Sequence, residues 1–422
     1  MTLSPSEPRP ENLIGLRERF LRTRADSEAL ALPLSSEDQT VQTMADVSPT
    51  KWHLAHTTWF FDVFILEAFE PGYKPVHSAY RYLFNSYYNG VGPQYFRPQR
   101  GHLSRPGVAE IRAYRSQVTE RVASLLENWG EGVPAEAAGL IELGINHEQQ
   151  HQELIVTDIK HVLGTNPLHP VYEAPAGLRA VEEAPALRWR AFKGGLVAIG
   201  HEGPGFAFDN EGPRHTVWLE PFRLATRSVT CGEYLEFMAD GGYQRPELWL
   251  SAGWATVQER GWQAPLYWQR EGEGWGHYTL GGFRPVIASE VLAHISFFEA
   301  AAFAKWAGKR LPTEFEWESA ARGVAEDGNF ADSRLFHPAR ASERMFGDVW
   351  KWTASAYLPY PGYREVDGPV GEYNGKFMAS QMVLRGGSAA TPAGHTRVTY
   401  RNFFPPDARW QFSGLVLAEN RT

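Results

Sequence analysis

The sequence predicts an α+β protein of two domains, a four-helix bundle followed by a domain of short strands and long loops. Three observations carry this. Apolar residues recur at helical spacing through residues 1–165. Pro167, Pro170, Pro175 and Pro185 interrupt residues 166–190, which read as a linker. In residues 191–422, brief strand-like runs alternate with stretches rich in glycine, proline and large rings. A chain of 422 residues also exceeds what one ordinary core accommodates.

Taken in order, the first helix starts near Pro10 and runs through Leu13, Leu16, Phe20 and Leu21. The second opens at Ser48-Pro49, with serine as N-cap and proline at the first helical position. It continues through Trp52, Ala55, His56, Trp59, Phe60 and Val63. The third follows Ser104-Arg105-Pro106 and runs toward Trp129. The fourth starts around Pro134 and stops at Gly164, a C-terminal glycine. With the long 70–105 connection these four form the bundle. Beyond the linker, Leu196-Val197-Ala198-Ile199, Thr216-Val217-Trp218-Leu219 and Met382-Val383-Leu384 read as strands, and 230–239 and 296–307 as helices.

Composition removes several function classes. A net charge of −8 argues against a nucleic-acid partner, which needs a basic face. No apolar run is long enough to span a membrane, and the polar, proline-rich Met1 to Pro10 is no signal peptide. Cys231 is the sole cysteine, which excludes an internal disulfide and a multi-cysteine metal site. These bounds suit a cytoplasmic enzyme using histidine or carboxylate chemistry.

His147-Glu148-Gln149-Gln150-His151 is the segment with the most chemistry. Histidines four apart on a helix point the same way and can grip one metal ion. They share a stripe with Leu140, Leu143, Leu154 and Asp158, which turns the imidazoles toward a core. A catalytic metal needs a third ligand. His56 shares the apolar stripe of the second helix, whereas His53 falls nearer its edge, so His56 is preferred. Asp62 or Glu148 would be needed instead if the triad were two histidines and a carboxylate. The five residues also match His-Glu-x-x-His, the zinc-hydrolase pattern with Glu148 as general base. That reading lacks a downstream ligand, because His161 and His169 lie near or past Gly164.

Ser48-Pro49-Thr50-Lys51-Trp52-His53-Leu54-Ala55-His56 and His147 to Glu153 resemble the ergothioneine-biosynthesis sulfoxide synthases. So, in the second half, do Trp306 to Glu318, Phe346 to Thr353 and Leu384-Arg385-Gly386-Gly387-Ser388. The resemblance implies an N-terminal DinB-like four-helix bundle fused to a formylglycine-generating-enzyme-like domain of C-type-lectin-like fold. It implies iron(II), Fe2+, held by His56, His147 and His151. The implied reaction couples hercynine (Nα-trimethylhistidine) to cysteine or γ-glutamylcysteine with O2. Three neutral ligands leave three adjacent positions for reactants, and zinc has no redox chemistry for this.

By the same resemblance, Gln150 and Asn402 line the trimethylammonium pocket. Phe403 and Phe404 are candidates to offer it π faces. Tyr87 and Tyr88, in Asn85-Ser86-Tyr87-Tyr88-Asn89, match a tyrosine pair that donates a proton in one branch of the family. Residues 376–383 contain no tyrosine, which favours that branch over the one with a C-terminal-domain donor. Arg97 and Arg100 are candidates to clamp the thiol substrate's carboxylate. Most second-half motif residues read as scaffold: glycines at special backbone angles, buried tryptophans and paired Arg/Glu groups. Formylglycine generation itself needs paired cysteines, which one cysteine cannot supply. An ovothiol-type synthase is disfavoured for lack of room for a methyltransferase domain. A zinc-dependent hydrolase and a metal-free lectin-like binding module stay open as other classes.

Overall fold

The computed structural model describes residues 15–174, 183–365 and 371–420. The chain divides into two compact units, Met1–Ile155 and Val156–Thr422.

The first unit is built on α1 (Leu16–Ala31), α2 (Thr50–Phe61), two short helices α3 (Glu67–Phe69) and α4 (Tyr80–Leu83), α5 (Val108–Trp129) and most of α6 (Ala135–Gly164). The expected start of the first helix at residues 10–14 lies outside the described residues. In α2 all twelve residues are buried, including Lys51, His53 and His56. Its polar groups are satisfied internally: Lys51 Nζ donates to the carbonyls of Leu103 at 2.6 Å and Pro106 at 3.2 Å. The helix begins one residue later than Ser48 as N-cap would give, with Pro49 in the cap position. The serine hydroxyl is engaged elsewhere, accepting from Arg100 Nη1 at 3.0 Å. A π-helical turn, Asp62–Leu66, continues the helix, a widened geometry that recurs near functional sites.

The buried stripe of α6 within this unit is Ala137, Ile141, Ile145, Glu148 and Gln152, ending on Ile155. Of the stripe read from sequence, His147 and Asp158 are buried, whereas Leu140, Leu143, His151 and Leu154 are only partly buried. Two polar residues in core positions explain the difference. Gln152 Nε2 donates to the Thr23 carbonyl at 2.9 Å, and Ser27 Oγ donates to Glu148 at 2.6 Å, so both are bound to α1. At Gly144, a Cβ would come within 2.6 Å of the Phe61 ring, so the glycine permits close packing of α6 on α2.

The second unit carries α7 (Cys231–Ala239), α8 (Ser251–Arg260), α9 (Phe297–Trp306), α10 (Glu314–Ala321) and α11 (Glu372–Gly375). Its strands are β1 (Trp189–Phe192), β2 (Gly195–Ile199), β3 (His215–Leu219), β4 (Phe222–Ala225), β5 (Trp268–Glu271), β6 (Gly274–Thr279), β7 (Gly282–Pro285), β8 (Trp350–Ala356), β9 (Met382–Arg385), β10 (Asn402–Phe404), β11 (Ser413–Gly414) and β12 (Ala418–Asn420). They form sheets ordered β10-β9-β8-β11, β1-β4-β12, β5-β6-β7 and β2-β3. Trp317, Trp350 and Trp352 lie at the centre, each 1% exposed or less. Capping boxes start α7, α9 and α10 at Thr230, Ser296 and Thr313.

Arg385 and Arg401, both buried, close on Glu314, and Arg385 also reaches Glu318. Gly386 has φ +98°, and a Cβ there would lie 2.8 Å from the Met345 carbonyl. The linker expected at 166–190 is partly incorporated into this unit. Tyr172 is buried and its N–H donates to the Leu280 carbonyl at 2.9 Å, and β1 begins at Trp189. No helix among the described residues is long and apolar enough to cross a membrane.

Candidate metal centre

His56 on α2 and His147 and His151 on α6 converge. One ring nitrogen from each lies within 4.8 Å of the others. Their ring centroids are 5.0 Å (His56–His147), 4.8 Å (His56–His151) and 4.7 Å (His147–His151) apart. The helical i, i+4 step supplies two of them, and α2 brings the third.

The tautomers are set by neighbours. His56 Nδ1 lies 2.6 Å from the Phe84 carbonyl, which can only accept, so Nδ1 carries the proton and Nε2 the lone pair. His151 Nδ1 lies 2.8 Å from His53 Nδ1. His147 Nδ1 is buried with no hydrogen-bond partner among the described residues. Burial holds His56 and His151 well below the usual histidine pKa and lowers His147 to about 4. All three are therefore neutral at physiological pH, the form that ligates a metal. Three neutral nitrogens, one of them orphaned, fit a divalent transition ion.

Aromatic planes fix the centre. Trp52 stacks on one side of His56 at 4.7 Å and 11°, and Trp59 on the other at 5.6 Å and 15°. Arg100 caps the pile, its guanidinium carbon 3.4 Å from the Trp52 ring centroid. Arg100 is itself buried and donates to Ser48 Oγ and, at 2.9 Å, to Ser86 Oγ. The Phe60 ring lies 5.0 Å from His147.

Two carboxylates considered from sequence lie outside this set. Asp62 accepts from Tyr114 at 2.9 Å and Tyr73 at 3.1 Å. Glu148 is fully buried between Arg24, at 2.7 Å, and Arg115. Against the cost of burial, these two cations and Ser27 hold its carboxyl down to about 2. Arg24 falls to about 10, because burial and the adjacent Arg115 outweigh the attraction of one shared carboxylate. Glu148 is thus a locked anion that ties α6 to α1 and α5. A general base needs a pKa near the working pH, so the hydrolase reading loses its base.

His53 corrects an expectation in the other direction. It is 2% exposed and bound to His151, not at an edge, because α2 has no exposed edge. Sequence spacing alone carried no sign of this fourth imidazole's role.

Tyr88 is buried, with its ring 5.5 Å from Trp59 and 6.5 Å from Phe60, the rings that touch His56 and His147. Asn85 Nδ2 holds this loop by donating to the carbonyls of Tyr88 at 3.1 Å and Gly92 at 2.9 Å. Tyr87 has φ +67°, a left-handed backbone that a non-glycine residue adopts only under constraint. Its N–H donates to Gln94 at 2.9 Å and its hydroxyl accepts from the partly buried Arg97. Gln150 is partly buried one residue before His151. Asn402, Phe403 and Phe404 form β10 in the second unit, where Phe403 stacks on Tyr357 at 4.1 Å and 9°.

The DinB superfamily model matches residues 19–155, and the Sulfatase-modifying factor enzyme 1-like domain model matches residues 184–344 and 342–421. Hercynine oxygenase of Mycolicibacterium smegmatis is 32% identical over 408 residues, covering 88% of this chain and 91% of that protein. The chain belongs to the hercynine oxygenase family. The Mycobacterium tuberculosis hercynine oxygenase is 31% identical over 407 residues, with 88% of this chain and 91% of that protein covered. The formylglycine-generating enzyme of Streptomyces coelicolor is 29% identical over 270 residues, 51% of this chain and 84% of that one. As a member of the hercynine oxygenase family the chain is an enzyme, an oxidoreductase.

Proposed function

We propose that this enzyme joins the sulfur of cysteine or γ-glutamylcysteine to the imidazole ring carbon of hercynine and oxidises that sulfur, using dioxygen and iron(II). The observation that carries the reading is the convergence of three neutral imidazoles with no carboxylate among them. His56, His147 and His151 would hold the iron, and once bound it supplies the electron transfer to oxygen that zinc lacks. An all-neutral ligand set keeps the site's positive charge, which favours an anionic thiolate over its thiol.

The remaining roles belong to the chain. His53 fixes the orientation of His151, and the Phe84 carbonyl that of His56. Trp52 and Trp59 exclude water from both faces of His56. Tyr88 is the preferred proton donor of the tyrosine pair, because its ring packs against the two rings that touch the histidines. Arg97, partly exposed, is better placed than the buried Arg100 to take the thiol substrate's carboxylate. Gln150, Asn402, Phe403 and Phe404 are assigned to the trimethylammonium end. We place the enzyme in the cytoplasm, where the unpaired, buried Cys231 thiol stays reduced.

The test is anaerobic loading with iron(II), then oxygen-electrode assays with hercynine plus each thiol. Oxygen uptake should require both organic substrates, and His147→Ala or His151→Ala should abolish iron binding. A fully ferrous-loaded protein inert toward dioxygen with either thiol overturns the reading.

A further inference from the structure

The second unit holds a donor cluster of its own. His277 stands on β6, and Glu290 and His337 on loops. One ring nitrogen of each histidine and one Glu290 oxygen lie within 4.8 Å of one another. His337 Nε2 is 3.1 Å from Glu290 Oε2, and the two imidazole rings meet edge to face at 5.1 Å. Among the described residues, His277 Nε2 and His337 Nδ1 are buried without a hydrogen-bond partner. Both rings border a cavity that Tyr267 and His294 also line, and there Tyr267 Oη is in the same state. A buried polar atom left unpaired costs about 1–3 kcal/mol, so His277 Nε2, beside the His337–Glu290 pair, calls for a partner.

The donor set selects that partner. Two imidazoles and a carboxylate are a zinc-type set. The 3.1 Å nitrogen–oxygen gap matches two ligands bound to one ion. At bond lengths of about 2.0–2.1 Å it corresponds to an angle of about 100° at the metal. Arg284 Nη2 contacts both Glu290 oxygens, at 2.8 and 2.9 Å, and serves as the outer partner that orients a ligating carboxylate. Lys160 lies 2.7 Å from His294 on another wall of the cavity. Burial holds its amine well below the usual lysine range, which lessens its repulsion of a cation.

We propose that His277, Glu290 and His337 form a second, structural metal site that takes a zinc-class divalent ion and staples β6 to two loops. The site is independent of the hercynine oxygenase chemistry. The test uses the full chain carrying His56→Ala, His147→Ala and His151→Ala, stripped with chelator and titrated with zinc against a competing chromogenic chelator. One zinc per chain is expected, with a rise in melting temperature, and His337→Asn in the same background should weaken it by at least about 100-fold. Zinc uptake far below one per chain overturns the proposal. So does an affinity that neither His277→Asn nor His337→Asn changes, and the cluster is then a hydrogen-bonded triad around water. If the triple variant does not fold, the otherwise unaltered chain should bind two zinc ions, falling to one in His277→Asn/His337→Asn. An unchanged stoichiometry there also refutes it.

Discussion

Replacing Glu148 by Gln keeps the shape of the side chain and removes one negative charge from the core of the bundle. Arg24, Arg115 and Glu148 are 2%, 0% and 0% exposed, so no water can take over the carboxylate's task. The variant leaves two guanidiniums facing each other across a neutral amide. Breaking a buried ion pair from one side costs about 3–5 kcal/mol. For a unit of this size, each kcal/mol lowers the melting temperature by roughly 3–4 °C, so the bundle should melt roughly 10–20 °C lower. Far-ultraviolet circular dichroism measures this directly. Adding Arg115→Met should recover part of the loss, because it removes the surplus cation. Below the new midpoint the variant should still take up iron(II), since Glu148 is no ligand. A melt within about 3 °C of the parent, given the 3–5 kcal/mol expected, would show that the anion does not hold the bundle together. Normal melting with lost catalysis would restore Glu148 as a base.

His53→Ala should keep the three ligands yet lose about 10–100-fold in iron(II) affinity, measured by chelator competition, because His151 loses its orienting partner. An unchanged affinity would deny His53 that role. Tyr88→Phe should go on consuming oxygen while its products shift from carbon–sulfur coupling toward plain thiol oxidation. Product ratios unaltered in both Tyr87→Phe and Tyr88→Phe would remove the pair from the mechanism. In the second unit, burial and then Arg397 hold His395 at about 3, against 6.5 for an ordinary histidine. The unfolded chain therefore binds the extra proton, and the stability is complete above 6.5 and lost as pH falls toward 3. His395→Gln should flatten the fall in calorimetric melting temperature between pH 6.5 and pH 5 by the equivalent of up to about 2 kcal/mol. An unchanged slope would mean that His395 does not titrate with unfolding.

What could be read from sequence was what repeats or punctuates. The i, i+4 histidines, Gly164 ending α6 and the short apolar runs of β2, β3 and β9 all carry their own local signals. What could not be read depends on the neighbour. The inward face of α6 is wider than the periodicity shows, because Glu148 and Gln152 look like surface residues until Arg24, Arg115 and Thr23 meet them. His53 was misplaced because periodicity assigns an edge, and a helix buried on all sides has none. Ser48 lost its capping role to Arg100, 52 residues away. His277, Glu290 and His337 come from separate segments with no motif spacing, so only folding brings them together.

Because every position of α2 is enclosed, that helix offers almost no room for substitutions that retune the enzyme. Changes near the metal centre then fall to the 84–100 stretch instead, whose Phe84 carbonyl holds His56 and whose Tyr88 ring packs on Trp59. There Asn85 and Arg100 keep the frame constant while exposed positions such as Phe96 stay open to replacement. Libraries built on this enzyme should diversify that stretch and leave the helix alone.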